Sequence, residues 1–340
     1  MKYNVLLLGL GRIGSTLEKD PLRYHPCTHT GVLLNSSLSK NFVLKGIYDE
    51  KIEKINDFLS DWNFKNKKLA TTLNEIQNEK FDLCVIASTS VSHFKNAEFA
   101  LNIGIKHILL EKPICTNEKD LKKLKSLVKK FQAKIWVNHE RRYHPLYQYI
   151  KNELQSGSFG SLKTIRASVL TSGLSPGIAF HELGGGPLLH DGTHAIDYLD
   201  FLLGSPKKIH FVNMHKPKTQ ETESRAIALM EYENRVFVFL EAGGERNYFQ
   251  FEMDIQTSTH RIILSNDGHK IYKTKESTLY KGFKSLQEIE LPSFLNSNPW
   301  IQLYSEILVH LKGKGGKILG DLVANERIFQ TLKAISSKNL

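Results

Sequence analysis

The sequence predicts an α/β protein of two domains, a doubly wound parallel sheet over residues 1–138 and an α+β domain with a mainly antiparallel sheet over residues 139–340. Three observations lead to this prediction. The 340 residues exceed what one hydrophobic core usually organises. Apolar strand-like runs alternate with helical patterns up to residue 138, which is typical of parallel strands joined by crossover helices. Beyond residue 140, β-rich runs follow one another through turn-like connections, which is typical of antiparallel strands.

Six strands are predicted in the first domain, at residues 3–9, 42–49, 68–72, 82–88, 107–112 and 134–139. Helices are predicted between them, near residues 51–61, 92–103 and 117–132. The first crossover is irregular, because two prolines between Glu18 and Gly31 interrupt the helical pattern. A loop is expected there, with the helix resuming near Thr28. In the second domain one predicted helix, at 145–157, precedes the β-rich runs. Two more, at 299–313 and 321–336, close the chain and can pack back on the first domain.

The composition indicates a globular protein of a reducing compartment. Hydrophobic residues make up 41% of the chain and charged residues 24%. The three isolated cysteines offer no disulfide framework, which favours the cytoplasm. The apolar run near the N-terminus has no cleavage site, and no stretch approaches the ~18 apolar residues of a membrane helix. We therefore expect neither a signal peptide nor a membrane partner.

The formal net charge of +11 raises the question of nucleic-acid binding. The densest lysine cluster, from Glu118 to Lys134, alternates its lysines with leucines at helical spacing, which favours the wet face of an amphipathic helix. We therefore predict no nucleic-acid partner. A basic protein does raise the encounter rate of anionic substrates.

The motif GLGRIG follows the first predicted strand directly. In such a GxGxxG turn, Gly9 allows the tight turn, Gly11 lets the main chain approach a pyrophosphate, and Gly14 lets helix and strand pack closely. Arg12 and Ile13 complete the turn. The preceding strand and the alternating strand–helix rhythm predict a dinucleotide site here.

Asp49, at the end of the second predicted strand, is the expected partner of the ribose diol. It lies 35 residues after Gly14 instead of about 20, and the inserted loop accounts for the excess. Because Glu50 follows Asp49 and no arginine is adjacent, NAD is preferred over NADP, although Lys51 and Lys54 keep NADP open. An alternative interpretation is that Asp49 only caps the next helix.

The stretch GGGPLLHDGTHAIDYLDFLLG, from Gly184 to Gly204, carries two histidines and three aspartates behind three glycines. These residues alone permit a zinc site, an acid/base pair or a solvated helix face. On one continuous helix, His190, His194 and Asp197 would fall within about 60° of one another, opposite an apolar face.

Three motifs in register, GLGRIG, EKPICTN and GGGPLLHDGTHAIDYLDFLLG, resemble those of the glucose-fructose oxidoreductase, inositol dehydrogenase and rhizopine-catabolism (Gfo/Idh/MocA) family. The stretch RRYHPLYQYIKNELQSGSFGSLKTIRA is similar to the opening of that family's second domain. The resemblance implies a Rossmann domain followed by an α/β domain whose large open sheet often serves oligomerisation. It also implies hydride transfer between a secondary alcohol of a sugar or cyclitol and a nicotinamide cofactor.

The resemblance implies that Lys112 is the catalytic lysine and His194 the histidine of the second domain, and Pro113 matches a proline often preceded by a cis peptide. Lys112 also ends a predicted strand at the carboxyl edge of the sheet, where ligands of doubly wound sheets bind. A lysine partly buried beside NAD⁺ would have its pKa lowered towards useful values.

The chain departs from the family where many members carry an aspartate four residues before the histidine. Here that place holds His190, and Asp191 follows it. Either His190 replaces the aspartate, or the helix start is reset so that Asp191 does its work. The geometry of a continuous helix favours the first option. Acid/base chemistry by His194, with His190 orienting or relaying the proton, is favoured over a zinc site, and no metal is predicted.

Further residues are expected to bind cofactor or substrate. Expected contacts to the cofactor are Ser88, Thr89, His93, Glu111 and Lys112. Expected contacts to the substrate include His190 and His194 and the residues after the sixth strand, Asn138, Arg141, Arg142 and Tyr143, near His139 and His144. Arginines there would suit an anionic substrate. The group His25, Cys27 and His29 is interpreted as a substrate-facing or solvent-facing loop, not as a metal cluster.

We therefore expect a cytoplasmic NAD(P)-dependent oxidoreductase of a sugar, sugar derivative or cyclitol. It is expected to form a homodimer or homotetramer through the sheet of the second domain. The alternative is a catalytically silent NAD-binding regulator, since the same fold resembles a fungal galactose-pathway repressor. Retention of Lys112 and His194 argues against that alternative.

Overall fold

The computed structural model describes residues 2–64, 68–171, 184–218, 221–295 and 297–338. The chain divides into two compact units. Unit 1 comprises Met1–His144 and Asn296–Asn325, and unit 2 comprises Pro145–Leu295 and Glu326–Leu340. Among the described residues, no helix is both long and apolar enough to span a bilayer.

Unit 1 is built on a parallel sheet of five strands in the order β2-β1-β3-β4-β5. Its apolar runs are buried on both faces, as parallel strands between helices require. The strands are β1 (Tyr3–Leu8), β2 (Phe42–Tyr48), β3 (Leu83–Ile86), β4 (His107–Glu111) and β5 (Lys134–Asn138).

The predicted strand at 68–72 is wrong. Only Ala70 pairs, in an isolated bridge with Gly46. The main-chain N–H groups of Thr71 and Thr72 donate to the Glu75 carboxylate, at 2.8 and 3.0 Å, and Thr72 caps the following short helix. The backbone that would have extended the strand is therefore used by a helix cap.

The described part of unit 1 contains six α-helices: α1 (His29–Asn35), α2 (Ile52–Asp61), α3 (Leu73–Gln77), α4 (His93–Asn102), α5 (Glu118–Phe131) and α9 (Pro299–Leu311). Helix α5 buries Leu121 and Leu124 and turns most of its lysines outward, as its spacing predicts. Helix α9 packs Leu303 and Ile307 into the core beneath the sheet.

The first crossover is interrupted as the two prolines predict. A single 3-10 turn, Thr16–Lys19, follows the glycine motif, and a loop leads to α1. Thr28 caps α1, because its hydroxyl accepts from the Gly31 N–H at 3.0 Å. The segment of residues 18–29, which contains this loop and the first residue of α1, is called the inserted loop below.

The described residues of unit 2 form a sheet of eight strands in the order β13-β12-β11-β10-β6-β9-β8-β7, and among these strands only β6 and β9 run parallel. The large, mainly antiparallel sheet of the prediction is confirmed. Its strands are β6 (Leu162–Leu170), β7 (Lys208–His215), β8 (Arg225–Glu231), β9 (Phe237–Gly243), β10 (Gln250–Thr257), β11 (His260–Ser265), β12 (Gly268–Glu276) and β13 (Lys284–Ile289).

Within the described part of the chain, helices cover one face of this sheet and leave the other face open. Alternate residues of β8 and β9, such as Met230 and Leu240, are buried, whereas Phe237 and Phe239 of β9 are exposed. The helices of unit 2 are α6 (Pro145–Ser156), α7 (Gly186–His190), α8 (Gly192–Leu203) and α10 (Leu322–Ser337), the last from Glu326 onward. A two-pronged ion pair at 2.8 Å joins Arg327 of α10 to Asp200 of α8.

The three cysteines are unpaired and buried. Burial, with the nearby Glu18 carboxylate, raises the pKa of Cys27 to about 11. Burial raises the pKa of Cys115 to about 12 and that of Cys84 still further.

Candidate functional site

The glycine motif makes a turn that only glycine can complete at two positions. Gly9 has a φ of +98°, and a Cβ on it would lie 2.4 Å from main-chain atoms of Ala87 and Ser88. A Cβ on Gly14 would lie 2.3 Å from the carbonyl oxygen of Gly9. The turn is thus pressed against the end of β3 on one side and against its own start on the other.

Gly11, by contrast, faces open space. A Cβ there would approach only Lys54 Nζ, at 3.8 Å. Arg12 is exposed, and the carbonyls of Arg12 and Ile13 accept from Leu17 N and His29 N, at 3.0 and 3.2 Å. An open main chain at the middle glycine, at the carboxyl end of β1, fits the pyrophosphate of a dinucleotide.

Asp49 lies directly beside this turn. Its Oδ2 accepts from the Leu10 N–H at 3.0 Å and lies 3.4 Å from Lys54 Nζ, and its Oδ1 accepts from the Lys51 N–H at 3.1 Å. Asp49 therefore joins the glycine turn to the start of α2. The ammonium group of Lys54 lies beside its carboxylate. The Asp49 carboxylate thus holds the residue that precedes α2, and its ribose-binding role stays a prediction.

Side-chain hydrogen bonds hold the loop that follows β3. His93 is buried, with Nδ1 at 2.7 Å from the Pro113 carbonyl and Nε2 at 3.2 Å from the Ser88 carbonyl. Asn96 donates to the Ser88 hydroxyl at 2.9 Å, and the Thr89 hydroxyl lies 3.4 Å from that of Ser92. The role of His93 visible here is to link the loops that follow β3 and β4.

The EKP motif stands where β4 ends. The Lys112–Pro113 peptide is cis, and Lys112 is half-buried. The carboxylate of Glu111 is buried and accepts from Asn138 Nδ2 at 2.5 Å, and it lies 3.0 Å from His29 Nε2. Its second oxygen accepts from the Lys112 N–H at 3.3 Å.

Asn138 ends β5 next to Glu111. Its Oδ1 is buried and has no hydrogen-bond donor among the described residues. A buried acceptor without a donor is costly, so this atom is suited to receive a hydrogen bond from a bound group. The carboxyl ends of β4 and β5 thus combine a lysine, a buried carboxylate and an open acceptor.

The predicted substrate residues beyond β5 point in different directions. Arg142 is buried and donates to the Leu319 carbonyl at 2.9 Å. Tyr143 is buried and donates to Glu306 at 3.2 Å, and its pKa is raised well above the ordinary value, first by burial. Arg141 is half-buried and pairs with Glu140 at 2.8 Å. His139 Nε2 lies 2.9 Å from Asn325 Oδ1.

The segment Gly184–Gly204 is not one continuous helix. Helix α7 ends at His190, Asp191 stands between the helices, and α8 begins at Gly192. A Cβ on Gly192 would lie 3.2 Å from the Ala242 side chain, so α8 starts pressed onto β9. The angular argument that groups His190 with His194 assumed a regular helix across Asp191, so their grouping stays a prediction.

Asp191 is nevertheless tied to its neighbours. Its carboxylate lies 3.1 Å from His190 Nδ1 and accepts from the Thr171 hydroxyl at 3.4 Å, and its carbonyl accepts from the His194 N–H at 3.0 Å. Asp191 is buried, whereas His190 and His194 are half-buried. Asp197 follows His194 by three residues in α8 and is buried.

Glu223 is a residue that the sequence did not reveal. It is buried beneath the triple glycine and accepts from the Leu188 N–H at 2.7 Å. Burial raises its pKa above the ordinary value. It lies far along the chain in a polar stretch without a motif, so no local signal marks it.

The inserted loop holds a compact polar cluster. Ligand-type atoms of Glu18, His25 and Cys27 lie within 4.8 Å of one another. Each already takes part in hydrogen bonds of the loop, and the Cys27 thiol donates to the Leu17 carbonyl at 3.3 Å. His29 points away from this cluster, towards Glu111.

Family models match both parts of the chain. The Gfo/Idh/MocA oxidoreductase family, with its NAD-binding Rossmann fold, matches residues 3–139. The Gfo/Idh/MocA C-terminal domain matches residues 147–263. The chain therefore belongs to the Gfo/Idh/MocA family, as its motifs predict, and unit 1 carries the family's NAD-binding fold.

Individual relatives are distant. An uncharacterized oxidoreductase of Synechocystis sp. is 28% identical over 211 residues, which is 60% of this chain and 52% of the relative. The scyllo-inositol 2-dehydrogenase (NADP(+)) IolW of Bacillus subtilis is 25% identical over 164 residues, 47% of this chain and 46% of the relative. The chain thus spans about half the length of these curated relatives.

Among solved structures, the super-repressor mutant of Gal80p from Saccharomyces cerevisiae is similar with a TM-score of 0.79. It is 16% identical, and the match covers 100% of this chain and 96% of that chain. At this identity the likeness shows a shared fold.

Proposed function

We propose that the protein is an NAD(P)-dependent oxidoreductase that transfers a hydride between the nicotinamide and a secondary alcohol or ketone of a sugar, sugar derivative or cyclitol. The observation that carries the proposal is the placement of Lys112. It follows a buried carboxylate at the carboxyl edge of a sheet whose glycine turn fits a dinucleotide. Scyllo-inositol is named for a relative of the same family, which supports a polyhydroxylated substrate.

Lys112 and His194 are the acid/base groups of this proposal. When bound, a nicotinamide cofactor would supply the hydride acceptor of the oxidation. Neutral Lys112 Nζ would take the hydroxyl proton of the substrate as the O–H and C–H bonds break and the C=O bond forms, and the reduction would reverse each step. His194 donates a hydrogen bond to the substrate oxygen, and His190 and Asp191 orient the substrate.

For the cofactor, NAD remains the preferred choice. Asp49 lies beside the glycine turn, where its carboxylate can accept hydrogen bonds from a ribose diol. Lys54, 3.4 Å from that carboxylate, offers a positive charge that a 2′-phosphate could use, so NADP stays the second choice. Gly9, Gly11, Arg12, Ile13 and Gly14 form the pyrophosphate turn. Ser88, Thr89, His93 and Glu111 border it in the proposal.

Further parts of the proposal concern substrate, assembly and location. Asn138, Arg141, Arg142 and Tyr143 are assigned to substrate binding, and half-buried Arg141 is the one best suited to an anionic group. A homodimer or homotetramer would cover the exposed Phe211 of β7 and Phe239 of β9, which lie on either side of Leu229 in β8. Three unpaired cysteines favour the cytoplasm. A dinucleotide domain over 1–138 and a substrate domain over 139–340 complete the assignment.

Replacing Lys112 with alanine tests the proposal. Purified protein is screened with NAD⁺ and NADP⁺ against a panel of sugars and cyclitols, and turnover is followed by the absorbance of the reduced nicotinamide. Lys112→Ala is expected to lower kcat about 10²- to 10⁴-fold, because general acid/base catalysis contributes that much. Binding of the reduced cofactor, measured by fluorescence, should persist. The matched control is Lys106→Ala, an exposed lysine of the same unit.

The alternative is a silent NAD-binding regulator, which the fold shared with Gal80p keeps open. Cofactor binding without turnover of any panel member would favour the regulator. Turnover that is unchanged in Lys112→Ala would contradict the assigned role of the lysine.

A further inference from the structure

The inserted loop delivers one histidine to the interior of unit 1. Glu18 organises the end of this loop, because its Oε2 accepts from the Cys27 N–H at 3.1 Å and from the Thr28 hydroxyl at 2.7 Å. Thr28 in turn caps α1. His29, the first residue of α1, is fully buried as a result.

The His29 ring lies between a tyrosine and a carboxylate. Nδ1 is 2.9 Å from the hydroxyl of Tyr304 on α9, and Nε2 is 3.0 Å from Glu111 Oε1. Burial raises the pKa of Tyr304 well above its ordinary value, so its hydroxyl keeps its proton and can donate to Nδ1. An ionised Glu111 can only accept, so Nε2–H donates to it. A neutral imidazole therefore satisfies both partners.

The buried Glu111 carboxylate depends on the His29 donor to stay ionised, more than a solvent-exposed carboxylate would. Burial alone would raise its pKa, but the hydrogen bond from His29, the Asn138 amide and the charge of Lys112 together bring the pKa below the ordinary value. A buried carboxylate that loses a donor takes up a proton more readily. The charge at Glu111 thus depends on a residue of the inserted loop.

We propose that His29 is a positioning residue for the acid/base lysine: it holds the Glu111 carboxylate ionised and in place directly before Lys112. The inference deepens the proposed function, since it concerns the same lysine. The titratable groups that the structure records facing Glu111 are His29 from α1, Tyr304 from α9 and Lys112 itself.

The electrostatic consequence has a definite sign. A negative Glu111 favours the ammonium form of Lys112. Without the donor at His29, Glu111 becomes neutral more easily, and Lys112 then loses its proton at lower pH. A histidine that served only to fill space would leave the ionisation of Lys112 unchanged.

Competitive labelling of lysines measures this ionisation without any substrate. Trace acetic anhydride reacts with the neutral amine, and mass spectrometry of the Lys112 peptide over a pH series reports the titration of that amine. The variants are His29→Leu, which removes the donor, and His29→Gln, which can still donate to Glu111. His310→Gln is the matched control, because His310 is a buried histidine of unit 1 that pairs with Lys134 and not with Glu111.

At mildly alkaline pH, His29→Leu is expected to increase Lys112 labelling several-fold relative to the other lysines. His29→Gln should lie close to the unsubstituted protein, and His310→Gln should match it. Glu111→Gln removes the charge directly and should reproduce the increase even if His29→Leu folds poorly. Far-ultraviolet circular dichroism and urea unfolding report that each variant is folded.

Unchanged Lys112 labelling in folded His29→Leu would overturn the inference, and so would unchanged labelling in folded Glu111→Gln. The proposed function fails separately, if Lys112→Ala keeps its turnover. In that case a labelling increase would still establish the link from His29 to Lys112.

Discussion

The two glycine-rich turns of the protein are held by different kinds of neighbours. In unit 1, Gly9 and Gly14 press against main-chain atoms, of Ala87 and Ser88 in one case and of Gly9 itself in the other. In unit 2, a Cβ on Gly186 would meet the Glu223 carboxylate at 2.8 Å, and one on Gly185 would meet the Leu189 side chain at 2.3 Å. The first turn is therefore fixed by backbone and the second by side chains.

This difference decides what each turn can tolerate. Main-chain atoms in a sheet cannot move without breaking strand hydrogen bonds, whereas a carboxylate can rotate. The first turn should behave as a rigid support. The second should respond to the charge and packing of the side chains beneath it.

Gly9→Ala is expected to have the largest effect. Its unfavourable φ and its main-chain clash should together lower the free energy of unfolding by about 2–4 kcal/mol and weaken cofactor binding. Gly104→Ala separates the two causes, because Gly104 has a φ of +90° with nothing within 4 Å of its Cβ position. Gly104→Ala should cost only about 1 kcal/mol. Urea unfolding measures both, and equal losses would show that the clash with β3 contributes nothing.

A second test concerns the residues that follow the triple glycine. His190 and Asp191 share a hydrogen bond, so their effects on turnover should not add. The interaction free energy from His190→Ala, Asp191→Asn and the double variant should be about 0.5–3 kcal/mol. The rates come from the substrate found in the panel. Strict additivity in kcat/KM would mean that the two side chains act independently.

Glu223→Gln should have the smallest effect, and its dependence on pH identifies its cause. Burial raises the folded-state pKa of Glu223 above 4.5, so the folded protein holds this proton more tightly than the unfolded chain. The contribution of the protonated Glu223 carboxyl to the free energy of unfolding is complete at low pH. It falls as the pH rises from 4.5 through the folded-state pKa. Gln keeps an acceptor for Leu188 N–H and has no charge.

The variant should therefore gain stability relative to the unsubstituted protein as pH rises, by about 1.4 kcal/mol for each unit of the pKa shift. Urea unfolding near pH 4.5 and at neutral pH measures the gap. Glu290→Gln, at an exposed position, serves as the control and should show no such gap. A constant difference for Glu223→Gln across this range would contradict the effect of burial.

Local patterns predicted most of the fold. Five of the six predicted strands and the helices between them stand close to their expected bounds, because each depends on its own periodicity. The strand at 68–72 failed because Glu75 captured the N–H groups of Thr71 and Thr72. The sequence pattern did not reveal the break at Asp191, where one helix ends and α8 begins at Gly192, close to Ala242 of β9.

The site was predicted where a motif carries its own geometry, as at Gly9, Gly14 and the cis Lys112–Pro113 peptide. The partners of Glu111 could not be predicted in the same way. His29 reaches it from the inserted loop and Asn138 from the neighbouring strand, so their meeting depends on the tertiary fold. For the same reason Glu223 carried no signal in the sequence.

Two of the buried thiols, Cys84 and Cys27, can report on two different opening motions through the rates at which a thiol reagent labels them. Cys84 lies inside β3, so a thiol reagent should reach it only when the central sheet opens. Cys27 lies at the end of the inserted loop, held through its main chain by Glu18, and needs only that loop to detach. The ratio of the two labelling rates therefore compares the frequency with which the inserted loop detaches with the frequency with which unit 1 unfolds as a whole.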